Sequence, residues 1–238
     1  MPNKKYEFVQ IAGIQKMTLV DFPGRVASTV FTRGCSFRCG FCHNPELVLP
    51  EKFNPLLDED QFFRFLESRL GKIQGVCITG GEPTIQVDIQ KFISHIKALG
   101  FDVKLDSNGS KPEVLASIIE DKDLDYIAMD VKSPFKNYKD VSGYPEDGIE
   151  KNIKKSIKLI MNSGIDYEFR TTVMKPYLEP KDFEEIGKSI KGAKRFYIQN
   201  FVASKQIDPK IDFKPFSDQE LEESLKIVKK YVKESKTR

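Results

Sequence analysis

Three of the chain's four cysteines crowd into "GCSFRCGFCHNP", residues 34–45: Cys35, Cys39 and Cys42, spaced C-x3-C-x2-C, with His43 directly after the last thiol. Such thiols can form a disulfide, hold zinc, attach haem or ligate an iron–sulfur cluster. The N-terminus, "MPNKKYEFVQ", has no apolar h-region of a signal peptide, so a cytoplasmic location is expected. In a reducing cytosol, clustered cysteines are metal-binding or catalytic rather than disulfide-bonded. A structural zinc site wants four ligands. Cys42 and His43 are adjacent and chelate one tetrahedral ion badly, so Cys77 or His95 would have to arrive from elsewhere. Cys39-Gly-Phe-Cys42-His43 also matches the C-x-x-C-H of haem attachment, but it leaves Cys35 unused and usually accompanies export. A 4Fe–4S cluster normally takes four thiolates. Three would leave one iron open to a ligand that chelates through an amine and a carboxylate.

These residues need a scaffold, and the rest of the chain describes one. Its 238 residues are enough for a sizeable core, and 39% hydrophobic with 31% charged residues is ordinary globular composition. With 38 basic against 35 acidic residues, nothing points to nucleic acid or a membrane surface. No stretch approaches the length of a membrane span.

Short β-rich runs alternate with helical patterns. The runs are 25–34, 75–80, 101–109, 125–132, 166–173 and 195–201, near-continuous in Val, Ile and Phe as in a parallel sheet covered on both faces. Between them Ile89, Phe92, Ile93, Ile96 and Leu99 trace one helical face, and Ile149, Ile153, Ile157, Ile160 and Met161 another. Asp58 with Gln61 and Ser217 with Glu220 read as helix starts, and Pro112 suits a first helical turn. The last helix should bury Leu221, Leu225, Val228 and Val232. Six strand–helix units imply right-handed crossovers and one parallel sheet, as an open partial barrel or a doubly wound sheet. Both place ligands at the C-terminal ends of the strands.

Those ends are where the polar residues collect. The first strand runs into Cys35; the second ends in Gly80, Gly81, Glu82 and Pro83; the third in Asp106, Ser107, Asn108 and Gly109; the fourth carries Asp130 and Lys132. The fifth carries Arg170, and the sixth Gln199 and Asn200. Taken singly, each has an ordinary explanation: a turn, a cap or an ion pair. Cys77, inside an apolar strand, reads as a buried small hydrophobe, and His95 as structural. The argument lies in their shared location. Gly80, Gly81 and the Glu82 carboxylate suit an amine, Asp106 and Asn108 a ribose, and Lys132 a carboxylate.

The C-x3-C-x2-C motif with aromatic Phe41 before the third cysteine, and "GGEP" at the end of the next strand, resemble the radical S-adenosylmethionine superfamily. The opening "IAGIQKMTLVDFPGRVASTVFTRGCSFRCGFCHNPELV" resembles its glycyl-radical-enzyme activating branch, closest to the activating proteins of anaerobic ribonucleoside-triphosphate reductase. The resemblance implies an α/β fold, a partial (βα)6 barrel of parallel strands with outer helices. It implies one domain over 1–238: an N-terminal extension at 1–24, six βα units over 25–201, and a C-terminal segment and helix over 202–238. Cys35, Cys39 and Cys42 would ligate a 4Fe–4S cluster whose unique iron binds S-adenosylmethionine, with Phe41 beside it. Gly80, Gly81 and Glu82 would hold the methionyl amine, and Lys132 would contact the methionyl group. Asp106, Ser107 and Asp130 fall where related activases bind a monovalent cation. The cofactor contacts expected besides are Asn108, Arg170 and, on the last strand, Gln199. The activity implied is reductive cleavage of S-adenosylmethionine to a 5′-deoxyadenosyl radical that takes a glycine hydrogen from a partner enzyme, with flavodoxin or ferredoxin as electron donor.

Two other readings stand beside it. One is a radical enzyme acting on a small molecule, like the 7-carboxy-7-deazaguanine synthases. The other is a structural zinc protein using the same cysteines.

Overall fold

The structure is a computed structural model and describes residues 9–238. Its strands are β1 (Ile11–Thr18), β2 (Ala27–Thr32), β3 (Gly75–Gly80), β4 (Asp102–Ser107), β5 (Tyr126–Asp130), β6 (Asp166–Val173), β7 (Arg195–Asn200) and β8 (Glu234–Thr237). The helices are α1 (Pro45–Val48), α2 (Glu59–Glu67), α3 (Ile89–Ala98), α4 (Pro112–Asp121), α5 (Tyr138–Ser142), α6 (Ile149–Asn162), α7 (Phe183–Ser189) and α8 (Asp218–Val228). The six runs read from the sequence are β2 to β7. This is an α/β fold of the partial (βα)6 barrel class.

The chain forms two compact units, and β5 begins in one and ends in the other. In the first, the strand order is β1-β2-β3-β4-β5, with β2, β3 and β4 parallel. Val76, Cys77, Ile78, Val103 and Leu105 are wholly buried there; β3 reads as a continuous apolar run, while β4 alternates its apolar residues with Asp102, Lys104 and Asp106. Asp58 caps α2 by accepting from the Gln61 backbone N–H at 2.9 Å. Phe62, Phe63 and Leu66 then face the core. Ile89, Phe92, Ile93 and Ile96 are buried on α3 as their spacing predicts. His95 stacks on Phe63 with ring centroids 3.7 Å apart.

In the second unit the order is β5-β6-β7-β8, with β6, β7 and β8 parallel. Ile149, Ile153, Ile157 and Ile160 form the buried stripe of α6. Ser217 and Glu220 make the expected capping box at the start of α8.

The structure differs from the sequence reading at both ends of the chain. Within the expected extension 1–24, whose first eight residues lie outside those described, β1 pairs antiparallel with β2 through two register shifts. At the other end, α8 stops at Val228 and buries Ser224 and Val228, while Leu221 and Leu225 are only half-buried. Val232 lies beyond the helix, and the chain continues into β8. The "ESKT" of β8 carries no apolar signal; it is held by ladder pairing with β7 and by Arg238, whose guanidinium binds the buried Glu168 carboxylate at 2.8 and 3.1 Å.

Candidate functional site

In the first unit, β2 ends at Thr32 and the chain turns through Gly34 (φ +93°) towards Cys35. Gly81 lies flat against that turn. A Cβ on Gly81 would come within 1.8 Å of the Gly34 carbonyl oxygen, so no side chain fits between the two backbones. Backbone hydrogen bonds lock the approach: Gly81 N–H donates to Thr32 at 2.9 Å, Glu82 N–H to Gly34 at 2.8 Å, and Gly34 N–H to Leu47 at 2.7 Å. The two glycines at the end of β3 thus do more than turn the chain. They fix the peptide that precedes the first cysteine.

Glu82 is 0% exposed. Its Oε1 accepts from the Thr84 backbone N–H at 3.0 Å, the Thr84 hydroxyl at 2.5 Å and the Ser107 hydroxyl at 2.8 Å. The carboxylate therefore caps the short turn Pro83–Ile85 and ties the end of β4 to that of β3.

Asp106 has different neighbours. Its carboxylate takes the Lys104 ammonium on Oδ1 and, at 3.4 Å, the Thr79 hydroxyl on Oδ2. Cys77 lies opposite Lys104 in the β3–β4 register. It is buried as predicted, but its Sγ is 3.6 Å from Lys104 Nζ and 3.8 Å from Asp106 Oδ1. Its surroundings are polar and not, as the sequence suggested, those of a small hydrophobe. Lys104 was missed because a lone lysine in a strand reads as solvated. Its signal was the i, i+2 spacing to Asp106, which puts both side chains on one face of β4.

In the second unit, Asp130 accepts from Arg170 Nε at 3.0 Å and from Lys132 Nζ at 2.9 Å. Burial alone would raise its pKa, but the Arg170 and Lys132 cations hold the carboxyl well below its ordinary value. Burial would likewise lower Lys132, and Asp130 reverses this, leaving the ammonium above its usual range. Lys132 Nζ also stands 6.0 Å from the Phe41 ring centroid. Asn108 is buried and accepts from the Ser110 N–H at 2.9 Å, an Asx turn. Gln199 lies on β7 opposite Thr172 of β6. Asn200 forms a reciprocal pair with the Phe216 backbone, 2.9 Å each way.

The cysteine loop is held from an unexpected quarter. The Gly40 carbonyl accepts from Ile207 and Asp208 N–H groups, both at 2.9 Å. Phe41 packs edge-on against Tyr177 and Phe213, at 6.2 and 6.1 Å, and His43 lies 5.1 Å from Phe201. Phe37 packs against Tyr138 and Tyr144. The segment after residue 200, which contributed little to the sequence reading, is thus a clamp on the loop. Its contacts are long-range and irregular, so no periodic pattern announces them.

Within the loop, Cys42 N–H donates to the Cys39 carbonyl at 3.0 Å, closing a turn over C-x2-C. The Cys39 thiol donates to the Ser142 carbonyl at 3.5 Å. Burial pushes that thiol up to about 11, against the opposing pull of Lys132. Cys35 and Cys42 are half-buried.

This fold, with three cysteines after the first parallel strand and a Gly-Gly-Glu turn after the second, defines a radical enzyme of one superfamily. The family profile "Radical SAM superfamily" matches residues 29–190, and the chain belongs to that family. It is 34% identical over 229 residues to the candidate glycyl-radical enzyme activating enzyme MJ1227 of Methanocaldococcus jannaschii, covering 93% of this chain and 92% of that protein. A candidate GTP 3′,8-cyclase of Pyrococcus horikoshii is 34% identical over 146 residues, 59% of this chain and 46% of that one. The pyruvate formate-lyase-activating enzyme of Listeria monocytogenes is 31% identical over 132 residues, 52% and 53%. Among solved structures, SuiB of Streptococcus suis superposes with a TM-score of 0.62 at 18% identity, over 87% of this chain and 47% of that one. That likeness concerns the fold.

The family implies a 4Fe–4S cluster and S-adenosylmethionine, and the donor set fits the cluster. Soft thiolates are the ligands iron–sulfur centres take. Among the described residues, no three His, Cys, Asp or Glu side chains close on a point where one ion could sit. A cubane makes no such demand, because each thiolate binds a separate iron. A thiol as reluctant to ionise as Cys39 gives up its proton on coordination. Among the described residues, no helix is long and apolar enough to cross a membrane.

Proposed function

We propose that this protein is an activating enzyme for a glycyl radical enzyme, and that its partner is an anaerobic ribonucleoside-triphosphate reductase. The observation that carries the reading is the similarity to MJ1227, which runs through nearly the whole of both chains.

Cys35, Cys39 and Cys42 hold the cluster, and Gly80, Gly81 and Glu82 receive the methionyl amine. When bound, the cluster supplies the electron that splits S-adenosylmethionine into methionine and a 5′-deoxyadenosyl radical, which takes one Cα hydrogen from a glycine of the partner and leaves as 5′-deoxyadenosine. Flavodoxin or ferredoxin delivers the electron. This chain's own work is to orient and to exclude water. The Gly81–Gly34 contact holds the approach to Cys35, the Phe41, Tyr177 and Phe213 rings keep an apolar wall behind the loop, and the Asp130–Lys132–Arg170 group fixes a cation for the methionyl carboxylate.

The test is anaerobic. Reconstituted protein, dithionite and S-adenosylmethionine should give 5′-deoxyadenosine, and adding the reductase should give the doublet of a glycyl radical in electron paramagnetic resonance. The cyclase similarity supports a second reading, a small-molecule substrate such as a purine nucleotide. In that case 5′-deoxyadenosine forms in step with the small molecule and no radical appears on protein. One bound zinc and no cleavage would remove both readings.

A further inference from the structure

We propose that Lys104 stands in for a monovalent cation at Asp106 in this protein, so that S-adenosylmethionine binds without sodium or potassium. The inference deepens the proposed function and rests on it for the identity of the ligand. Asp106, a carboxylate expected to help hold such an ion, already carries a fixed cation. Lys104 is 1% exposed, on β4 two residues before Asp106, and its ammonium bears directly on Asp106 Oδ1. Asp130 has Arg170 Nε on Oδ1 and Lys132 Nζ on Oδ2. The Ser107 hydroxyl, expected beside Asp106, donates to Glu82.

An alkali ion and an ammonium offer a carboxylate the same unit charge at similar range, so a buried carboxylate already neutralised has little left to attract a second cation. A buried ammonium is costly to desolvate and is retained only where its partner repays it. Lys104, far from solvent and aimed at Asp106, meets that condition. Arg170 similarly leaves Lys132 in surplus over Asp130, so that its charge remains available to an anionic ligand group. Lys104 is here a positioning residue: it keeps Asp106 in place and neutral overall, and it touches no substrate.

The experiment compares holoenzyme in potassium chloride, sodium chloride and choline chloride at equal ionic strength. It reads S-adenosylmethionine affinity by equilibrium dialysis and 5′-deoxyadenosine formation. For the wild type, both should change by less than about twofold among the salts, well below ordinary allosteric coupling. The Lys104→Ala variant, which opens room beside Asp106, should lose about tenfold in affinity in choline and recover it in potassium or sodium. A wild type that loses about tenfold in choline and regains it with an alkali ion overturns the proposal. So does a folded Lys104→Ala protein that no alkali ion rescues. If Lys104→Ala does not fold, the wild-type comparison decides alone. Absence of cleavage in every salt would count against the radical function, and the dialysis arm would still judge the cation question.

Discussion

Arg170 Nε lies 3.0 Å from Asp130 Oδ1 and so joins the middle of β6 to the end of β5 by a charge-assisted bond inside the second unit. Arg170→Met should cost about 1–3 kcal/mol of unfolding free energy, the range for a lost hydrogen bond to a charged group. Lys132 still pairs with the carboxylate, which keeps the cost from the higher figure of an orphaned charge. Because the folded Asp130 pKa is depressed, the stabilisation is fully present above the unfolded value near 4 and is lost as pH falls towards the folded one. Denaturant unfolding at pH 7 should separate wild type from variant, and the two should converge between about pH 4 and the acid limit. A difference independent of pH would contradict the ion-pair account.

Gly81→Ala places a methyl on the Gly34 carbonyl. Neither partner is a flexible side chain, so backbone must move, at a cost of about 2–4 kcal/mol in the range of severe single substitutions. The turn into Cys35 moves with it, so iron retention after reconstitution should fall in parallel. Wild-type iron content in Gly81→Ala would mean that the two loops are not coupled.

Ser107→Ala removes one of three donors to Glu82 Oε1, a loss of about 1 kcal/mol. Glu82→Ala strands the Thr84 N–H and should cost about 1–3 kcal/mol. Thermal unfolding of the cluster-free protein measures both, and equal effects would refute the capping role of Glu82.

Phe213→Ala opens the packing behind Phe41, and should cost about 3 kcal/mol in the manner of large-to-small core changes. Its signature is faster loss of the cluster to a chelator, followed by visible absorbance. An unchanged rate would show that the clamp does not restrain the loop.

Alanine at Cys35, Cys39 or Cys42 should reduce 5′-deoxyadenosine to background and lower bound iron. Cys77→Ala should keep the cluster, since Cys77 on β3 faces Lys104 and Asp106 of β4. Loss of iron in Cys77→Ala would mean that the ligand set is misassigned.

The strands β2 to β7 were legible because each carries a buried cluster of Val, Ile, Leu, Phe or Met, even where charged residues such as Lys104 and Glu168 interrupt it. β1 and β8 were not. β1 is a half-exposed edge strand with two register shifts. β8 has one buried residue, Ser235. Each owes its place to neighbours and not to its own composition. In the site, motif spacing picked out the cysteines, the Gly-Gly-Glu turn, Asp130 and Lys132; that the last two form an ion pair came from the structure. Motif spacing could not show that Arg170 completes that pair, since the two lie forty residues apart and only strand register brings them together. Nor could it show that Asn200 serves the Phe216 backbone, whereas the lysine of Asp106 had its signal in the i, i+2 spacing along β4.

The strand order has a consequence for how the chain is made. In each unit every strand after the first pairs with the one that precedes it in sequence. As synthesis proceeds from the N-terminus, at about 5–20 residues per second, each new strand meets an edge already built, and no strand must wait for a distant one to emerge. The cysteine loop leaves the ribosome after β2 and before β3, ahead of the Gly80–Gly81 turn that closes on Gly34. Its clamp at Ile207–Phe213 arrives last. The thiols are therefore made early, and the segment that clamps their loop is made only when most of the chain is complete.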